Sequence, residues 1–364
     1  MEKKARLIAF YLPQYHPVPE NDEWWGKGFT EWTNVGRAKP LFKGHVQPKI
    51  PRDLGYYDLR VPETREQQAE LAKFAGIEGF CYWHYWFGNG KQLLNRPFDE
   101  VLISGKPDFP FCLGWANHSW KKKTWSDDKK DKLLIEQQYP GIDDINLHFN
   151  TLLPAFKDKR YLKINNRLIF VIWDSINMPD STLFFETWNK LAIANGLEGF
   201  YFVGFTYDKL NVNKILKIGF DSACLDLVQE YYFQKSIFQK SKRKIKNILG
   251  IITPRIIPYK KYSDLFCRIF ETNKENVIPC ILPNFDHSPR NKRTAVILTN
   301  PSPVLFVKLL KKVLSIQKTK SDDSKELVFV KSWNEWGEGN YLEPDMEFGD
   351  SFITELHNYT SSSL

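Results

Sequence analysis

Eight short, almost uninterrupted apolar runs, spread along the whole chain, constrain its fold more than any other feature. They lie at 6 to 12 (RLIAFYL), 79 to 87 (GFCYWHYWF), 110 to 117 (PFCLGWAN), 167 to 173 (RLIFVIW), 199 to 206 (GFYFVGFT), 221 to 227 (DSACLDL), 277 to 285 (VIPCILPNF) and 326 to 333 (ELVFVKSW). A strand with one wet face alternates apolar and polar residues, whereas continuous runs suit a parallel sheet covered on both faces. Between the runs, apolar residues recur at helical spacing over 64 to 75, roughly 97 to 104, 143 to 157, 181 to 195, 211 to 217 and 303 to 316. A long basic stretch from 229 to 273 occupies one further interval. Strand and helix in alternation define an α/β chain. Eight repeats point to a closed (β/α)8 TIM-type barrel, with an open doubly wound sheet as the other arrangement. A length of 364 residues admits two domains or one barrel with insertions. The repeat favours one catalytic domain over 1 to 364 with a basic helical insertion, about 229 to 273, after the sixth strand.

In such a barrel the chemistry gathers where the strands end. The polar and aromatic residues of this chain concentrate there: Tyr11 on the first strand, Tyr82, His84, Tyr85 and Trp86 on the second, Trp115 and Asn117 on the third. Trp173 closes the fourth, Tyr207 the fifth, Asp226 the sixth, and Asn284 and Asp286 the seventh. With Trp32 from the first loop, these are the expected substrate-binding residues. His84 reads equally as a hydrogen-bonded structural histidine, and Asp226 as a satisfied core carboxylate.

The eighth strand runs into SWNEWGEGNYLEPD, where Glu335 and Glu338 stand among Trp333, Asn334, Trp336 and Tyr341. Two carboxyls can divide the work of acid and of nucleophile or base at an acetal carbon, and aromatic rings offer apolar faces to sugar C–H surfaces. Residues three apart on an extended strand point to opposite faces, so the pair enters one site only if the chain turns between them, which Gly337 permits. Close carboxylates raise one another's pKa, and the reading takes Glu338 as the proton donor. Trp333, Asn334 and Trp336 complete the expected substrate contacts.

Composition limits the alternatives. The net charge of +8 comes from 51 basic and 43 acidic residues mixed over most of the sequence, and the aromatics sit at strand ends and not among the lysines. Nucleic acid is therefore not the expected partner. Five cysteines without a C-x-x-C pair, four of them in apolar runs, read as reduced core thiols. The apolar run of MEKKARLIAFYLPQY is too short for an export signal and ends at Pro13, and no stretch reaches the ~18 apolar residues of a membrane span. The expected location is cytoplasmic. No Asp-x-Asp occurs, Gly26-Lys27-Gly28 lacks a third glycine, and neither metal nor cofactor is expected.

The opening YLPQYHPVPENDEWWGKGFTEWTNV, the GFCYWHYWF run, LGWANHSW and the closing SWNEWGEGNYLEPD together resemble the WbsX-type glycosyltransferases of bacterial surface-polysaccharide loci. That family is similar to glycoside hydrolase family 99, and the likeness covers nearly the whole chain. It implies a (β/α)8 barrel acting on a glycan of O-antigen or capsule metabolism, with retention, on an α-mannoside-like bond. In family 99 two glutamates three residues apart near the last strand carry the reaction. They fall here on Glu335, which would deprotonate the sugar 2-hydroxyl, and Glu338, the general acid/base.

The residues leave hydrolysis and transfer both open. They also leave open a barrel that binds a glycan without turnover, as a scaffold in a biosynthetic complex. The insertion QKSKRKIKNILGIITPRIIPYKK, 239 to 261, carries eight Lys and Arg among Ile and Leu. It suits either a solvated helix and loop or peripheral contact with an anionic inner-membrane surface, where a lipid-linked glycan would be the substrate.

Overall fold

All eight apolar runs are strands, and they close into a ring. The computed structural model describes residues 5–122, 132–230, 253–273, 275–293, 295–318 and 326–361. The strands are β1 (Arg6–Tyr11), β2 (Gly79–Trp86), β3 (Phe111–Trp115), β4 (Arg167–Ile172), β5 (Phe200–Thr206), β6 (Ser222–Leu225), β7 (Val277–Ile281) and β8 (Leu327–Val330). Every neighbour pairing around the ring is parallel. Closure falls on β1, where Ala9 sits opposite Val330 of β8 and Tyr11 opposite Tyr82 of β2.

Among the described residues an outer helix follows each strand, the first after two short helices, Pro19–Trp25 and Glu31–Gly36: α1 (Pro62–Phe74), α2 (Arg96–Ser104), α3 (Ile142–Phe156), α4 (Ser181–Ala194), α5 (Val212–Ile218), α6 (Tyr259–Thr272), α7 (Pro303–Gln317) and α8 (Ser351–Ser361). Helix starts follow local chemistry. Proline opens α1, α2 and α7, where a missing N–H costs nothing, and Ser302 caps α7 by accepting from Leu305 N at 3.2 Å. Two features escape the sequence pattern. Helix α8 has no counterpart among the helices expected from sequence. The basic stretch, of which 231–252 lie outside the described residues, ends in a strand, Arg255–Pro258, and in α6. Strand Arg255–Pro258 pairs in parallel with Val296–Thr299 beside the ring, so the end of the expected insertion is itself the barrel's sixth helix. Among the described residues no helix is long and apolar enough to cross a membrane.

Alternation along each strand decides what faces the interior. All eight residues of β2 are buried, so hydrophobicity does not mark its inner face. Packing does. Trp83 lies inside, stacked on Phe10 at 4.6 Å and 2°, and Phe10 in turn stacks on Phe329. Tyr82, His84 and Trp86 have the opposite parity and point to the helices. Tyr82 meets Phe98 of α2, and His84 and Trp86 both meet His148 of α3, the latter stacked at 4.5 Å and 4°. Trp115 also packs against His148 and against Phe184 of α4. Tyr11 donates from its hydroxyl to Gln68 of α1 at 2.7 Å. The expectation that Tyr11, Tyr82, His84, Trp86 and Trp115 line a groove is therefore corrected: they cement the sheet to its outer helices. Burial pushes the His84 imidazole down to about 3, so the 2.9 Å contact with His148 joins two neutral rings. Each large apolar side chain so buried contributes roughly 1.5–3 kcal/mol. The five cysteines are free and buried.

Candidate active site

Past Val330 the chain leaves β8 and folds into a compact loop at the C-terminal end of the barrel. Asn334–Glu335 pairs antiparallel with Asn340–Tyr341, and Trp336–Glu338 forms a 3-10 turn between them. The turn brings both carboxylates to one guanidinium. Arg290, from the loop after β7, donates through a single nitrogen, Nη1, to Glu335 Oε1 at 3.1 Å and to Glu338 Oε1 at 2.7 Å. Its Nε and Nη2 grip Glu31 of the first loop at 3.0 and 3.1 Å. Glu31 is wholly buried.

Lysine 331 closes the other side. Lys331 Nζ donates to the Tyr207 hydroxyl at 2.8 Å and lies 3.4 Å from Asp226 Oδ2 and 3.7 Å from Glu338 Oε2. Ser332 Oγ donates to Glu335 Oε2 at 3.0 Å. Two buried cations thus stand among Glu31, Asp226, Glu335 and Glu338, which is how such charges survive out of water.

This arrangement splits the pair. Burial would push the Glu338 carboxyl up, but Lys331, Arg290 and His287 outweigh it and hold the group down at about 2. Glu335 goes the other way. Burial and the neighbouring charge of Glu338 raise it, and Arg290 and Lys331 do not fully offset them. The surrounding cations therefore hold Glu338 ionised and leave Glu335 the weaker acid of the two, whereas the sequence reading took Glu338 as the proton donor.

Close packing dictates the glycines here. A Cβ on Gly337 would stand 1.7 Å from Glu31 Oε1, so this position is glycine to admit the buried carboxylate. The left-handed turn falls two residues later, at Gly339 with φ of +52°.

Several expected contact residues instead carry the loop. The Asn334 side chain accepts from Leu12 N at 2.8 Å and donates to Leu12 O at 3.1 Å, and the Tyr15 hydroxyl donates to Asn334 O. Trp336 stacks on Tyr341 at 3.7 Å and donates to Glu343 at 2.6 Å. Glu343 also accepts from Tyr57 at 2.9 Å and Gln68 at 2.6 Å, and burial pushes its carboxyl up to about 7 despite these donors. Trp333 is fully buried and packs against Phe80. Asn284 accepts from Tyr341 N, and Asp286 from His45, Gln47 and Ser288. Asn117 ties the third and fourth loops through Asp174 and Tyr139. Trp32 is half-buried and donates to Tyr57 O while leaning on Trp336. Burial in the company of hydrogen-bond partners closes off Trp333, Asn334, Trp336 and Asn117, whereas Trp32 is half-buried and Asn284 and Asp286 line a cavity of about 800 Å3 beside the loop.

Tyr85 keeps the inward parity of Trp83, and burial followed by the charge of Glu335 raises its hydroxyl. Trp173 and Tyr207 line a cleft of about 360 Å3 over the ends of β4 and β5. Of the residues the sequence reading did not select, Glu31, Arg290, Lys331 and Glu343 are the most consequential. Three belong to quoted stretches: Glu31 to GFTEW, Lys331 to the eighth run and Glu343 to YLEPD. Arg290 follows the seventh run by five residues and carries no local signal.

The ring and its outer helices define the class: (β/α)8 barrels. Within it, the chain belongs to the glycosyltransferase WbsX family, whose sequence model matches residues 7–356. Protein WxcX of Xanthomonas campestris pv. campestris, from strains ATCC 33913 and B100, is 32% identical over 353 residues, 96% of this chain. The chain spans about half the length of these curated relatives, 48%. Among solved structures, a glycoside hydrolase-like protein superposes with a TM-score of 0.61 at 15% identity, covering 99% of this chain and 94% of the other. The family 99 endo-α-mannosidase of Bacteroides thetaiotaomicron follows at 0.54 and 14%, covering 98% and 97%. At such identities the likeness speaks for the fold.

Proposed function

We propose that this chain cleaves or transfers a glycosidic bond in bacterial surface-polysaccharide metabolism, with retention, through Glu335 and Glu338. The observation that carries this reading is the sharing of Arg290 Nη1 by both carboxylates. One nitrogen between them keeps two of their oxygens within about 6 Å, compatible with the roughly 5–5.5 Å of retaining pairs and short of the ~6.5–9.5 Å that an inverting pair needs for its water. In the resting site Glu335 is the proton donor to the leaving oxygen, and ionised Glu338 acts on the sugar as base or nucleophile. An oligosaccharide or lipid-linked glycan is the substrate, on an α-mannoside-like bond. Peripheral membrane contact would fall to residues 239–261, of which 239–252 lie outside the described residues.

A panel of labelled polysaccharides and lipid-linked oligosaccharides tests the activity, with Glu335→Gln and Glu338→Gln beside the parent. Aryl glycosides with good leaving groups then assign the roles. A good leaving group needs no proton, so Glu335→Gln regains turnover on it and Glu338→Gln does not.

A second reading is favoured by the same arginine. Arg290 engages an oxygen of each glutamate, as in a locked ion-pair network, which suits a barrel that binds a glycan as a scaffold. Saccharide affinity that survives loss of both glutamates, with no turnover in the parent, would establish it.

A further inference from the structure

We propose that the cleft over the ends of β4 and β5 is a saccharide subsite that accepts neutral and amino sugars and rejects those bearing a carboxylate or phosphate. The inference rests on the glycan reading above and adds its substrate class. The cleft's working residues are Trp173, Asp174, Asn177, Tyr207, Asp208 and Asn211, and at about 360 Å3 it lies at the small end of ligand sites of roughly 300–1,000 Å3. It fits a short segment of a glycan and not a whole chain.

The aromatic part is rigid. The Trp173 indole stacks on Phe205 at 4.6 Å and 10°, with Trp83 edge-on at 5.3 Å beside it and Tyr207 at 5.4 Å and 79°. It remains half-buried, so its position is fixed while part of its surface stays open to the cleft. Such a surface suits the C–H face of a pyranose.

The polar part is acceptor-rich and anionic. Asp174 Oδ1 accepts from Asn177 Nδ2 at 2.9 Å and Asp208 Oδ1 from Leu210 N at 2.9 Å. Among the described residues the second oxygen of each carboxylate has no partner and no Lys or Arg lines the cleft. Sugar hydroxyls and ammonium groups are donors and find acceptors here, whereas an anionic sugar meets two like charges. The nearby cations among the described residues are already engaged. Lys209 is 3.3 Å from Glu230, and Lys331, buried beneath Tyr207, faces Asp226 and Glu338. The subsite connects to the glutamate pair through Tyr207, which is a cleft wall whose hydroxyl accepts from Lys331, and Lys331 faces Glu338.

The test reads binding without turnover. Methyl α-mannoside, methyl glucosaminide and methyl glucuronide are titrated against the full chain by saturation-transfer NMR at one ionic strength. The first two bind, and the glucuronide binds at least about tenfold more weakly, an RT ln 10 difference. Trp173→Ala loses the first two, and Asp174→Asn with Asp208→Asn brings the glucuronide toward the neutral sugar. Equal binding of the glucuronide, binding unchanged in Trp173→Ala, or no binding of any probe overturns the proposal. Repeating the titration in a Glu335→Gln, Glu338→Gln protein separates the two readings. Retained binding there supports the subsite whether or not the parent turns a glycan over.

Discussion

Lys331 Nζ lies 3.7 Å from Glu338 Oε2, and this buried ammonium is the largest influence opposing the effect of burial on that carboxyl. Removing the charge in Lys331→Met lets burial act, and the Glu338 carboxyl rises from about 2. In the proposed reaction the group works ionised, so the acid limb of kcat/KM moves to higher pH. An acid limb that stays where the parent has it would separate Lys331 from Glu338. The same linkage sets a stability slope. A carboxyl held below its ordinary 4.5 stabilises the fold above that pH, and the contribution is lost as pH falls toward 2.

Arg290 is the counter-ion of a glutamate with no exposure of its own. Arg290→Met leaves Glu31 charged and unpaired in the interior, at a cost of roughly 3–5 kcal/mol. Adding Glu31→Gln removes the orphaned charge, and the double variant is more stable in urea than Arg290→Met alone. Independent, additive losses would show that the pair is not coupled.

Gly337 has no room for a methyl group. Gly337→Ala forces Glu31 or the 3-10 turn of Trp336–Glu338 to move, with an expected loss of about 1–3 kcal/mol and, on the proposed function, of most turnover. In Glu31→Ala, Gly337→Ala the 1.7 Å clash is absent and only the 3.0 Å approach to Arg290 Nε remains, so the second substitution costs less there than in the parent. Thermal melts of the four proteins read this directly.

Glu343 titrates near neutrality under the loop that carries the pair. Its folded value, about 7, lies above the ordinary 4.5, so the folded state holds the proton more tightly. That contribution is full below 4.5 and is lost as pH rises through 7. The stability of the parent relative to Glu343→Gln therefore falls across this window in urea titrations. A difference that stays flat with pH would place the proton elsewhere. Removing the acceptor altogether, in Glu343→Leu, strands the donors of Tyr57, Gln68 and Trp336 and costs several kcal/mol.

The sequence by itself determined the count and kind of the repeating units. Continuous apolar runs suit a sheet covered on both faces, and eight of them with helical intervals point to a closed ring, with an open doubly wound sheet as the other arrangement. The same burial hid the facing of each strand. On β2 every residue from Gly79 to Trp86 is apolar or buried, so Tyr82, His84 and Trp86 could not be told from Trp83 and Tyr85 by polarity. Only closure of the ring, with Tyr11 opposite Tyr82 and Ala9 opposite Val330, set the phase that sent one set to the helices and the other inward. The charge pattern of the site was decided at the same level. Glu31 is 259 positions from Arg290, and Asp226 is 105 from Lys331. No local spacing records such meetings, because a carboxyl's pKa depends on what the fold brings beside it and not on its neighbours in the chain.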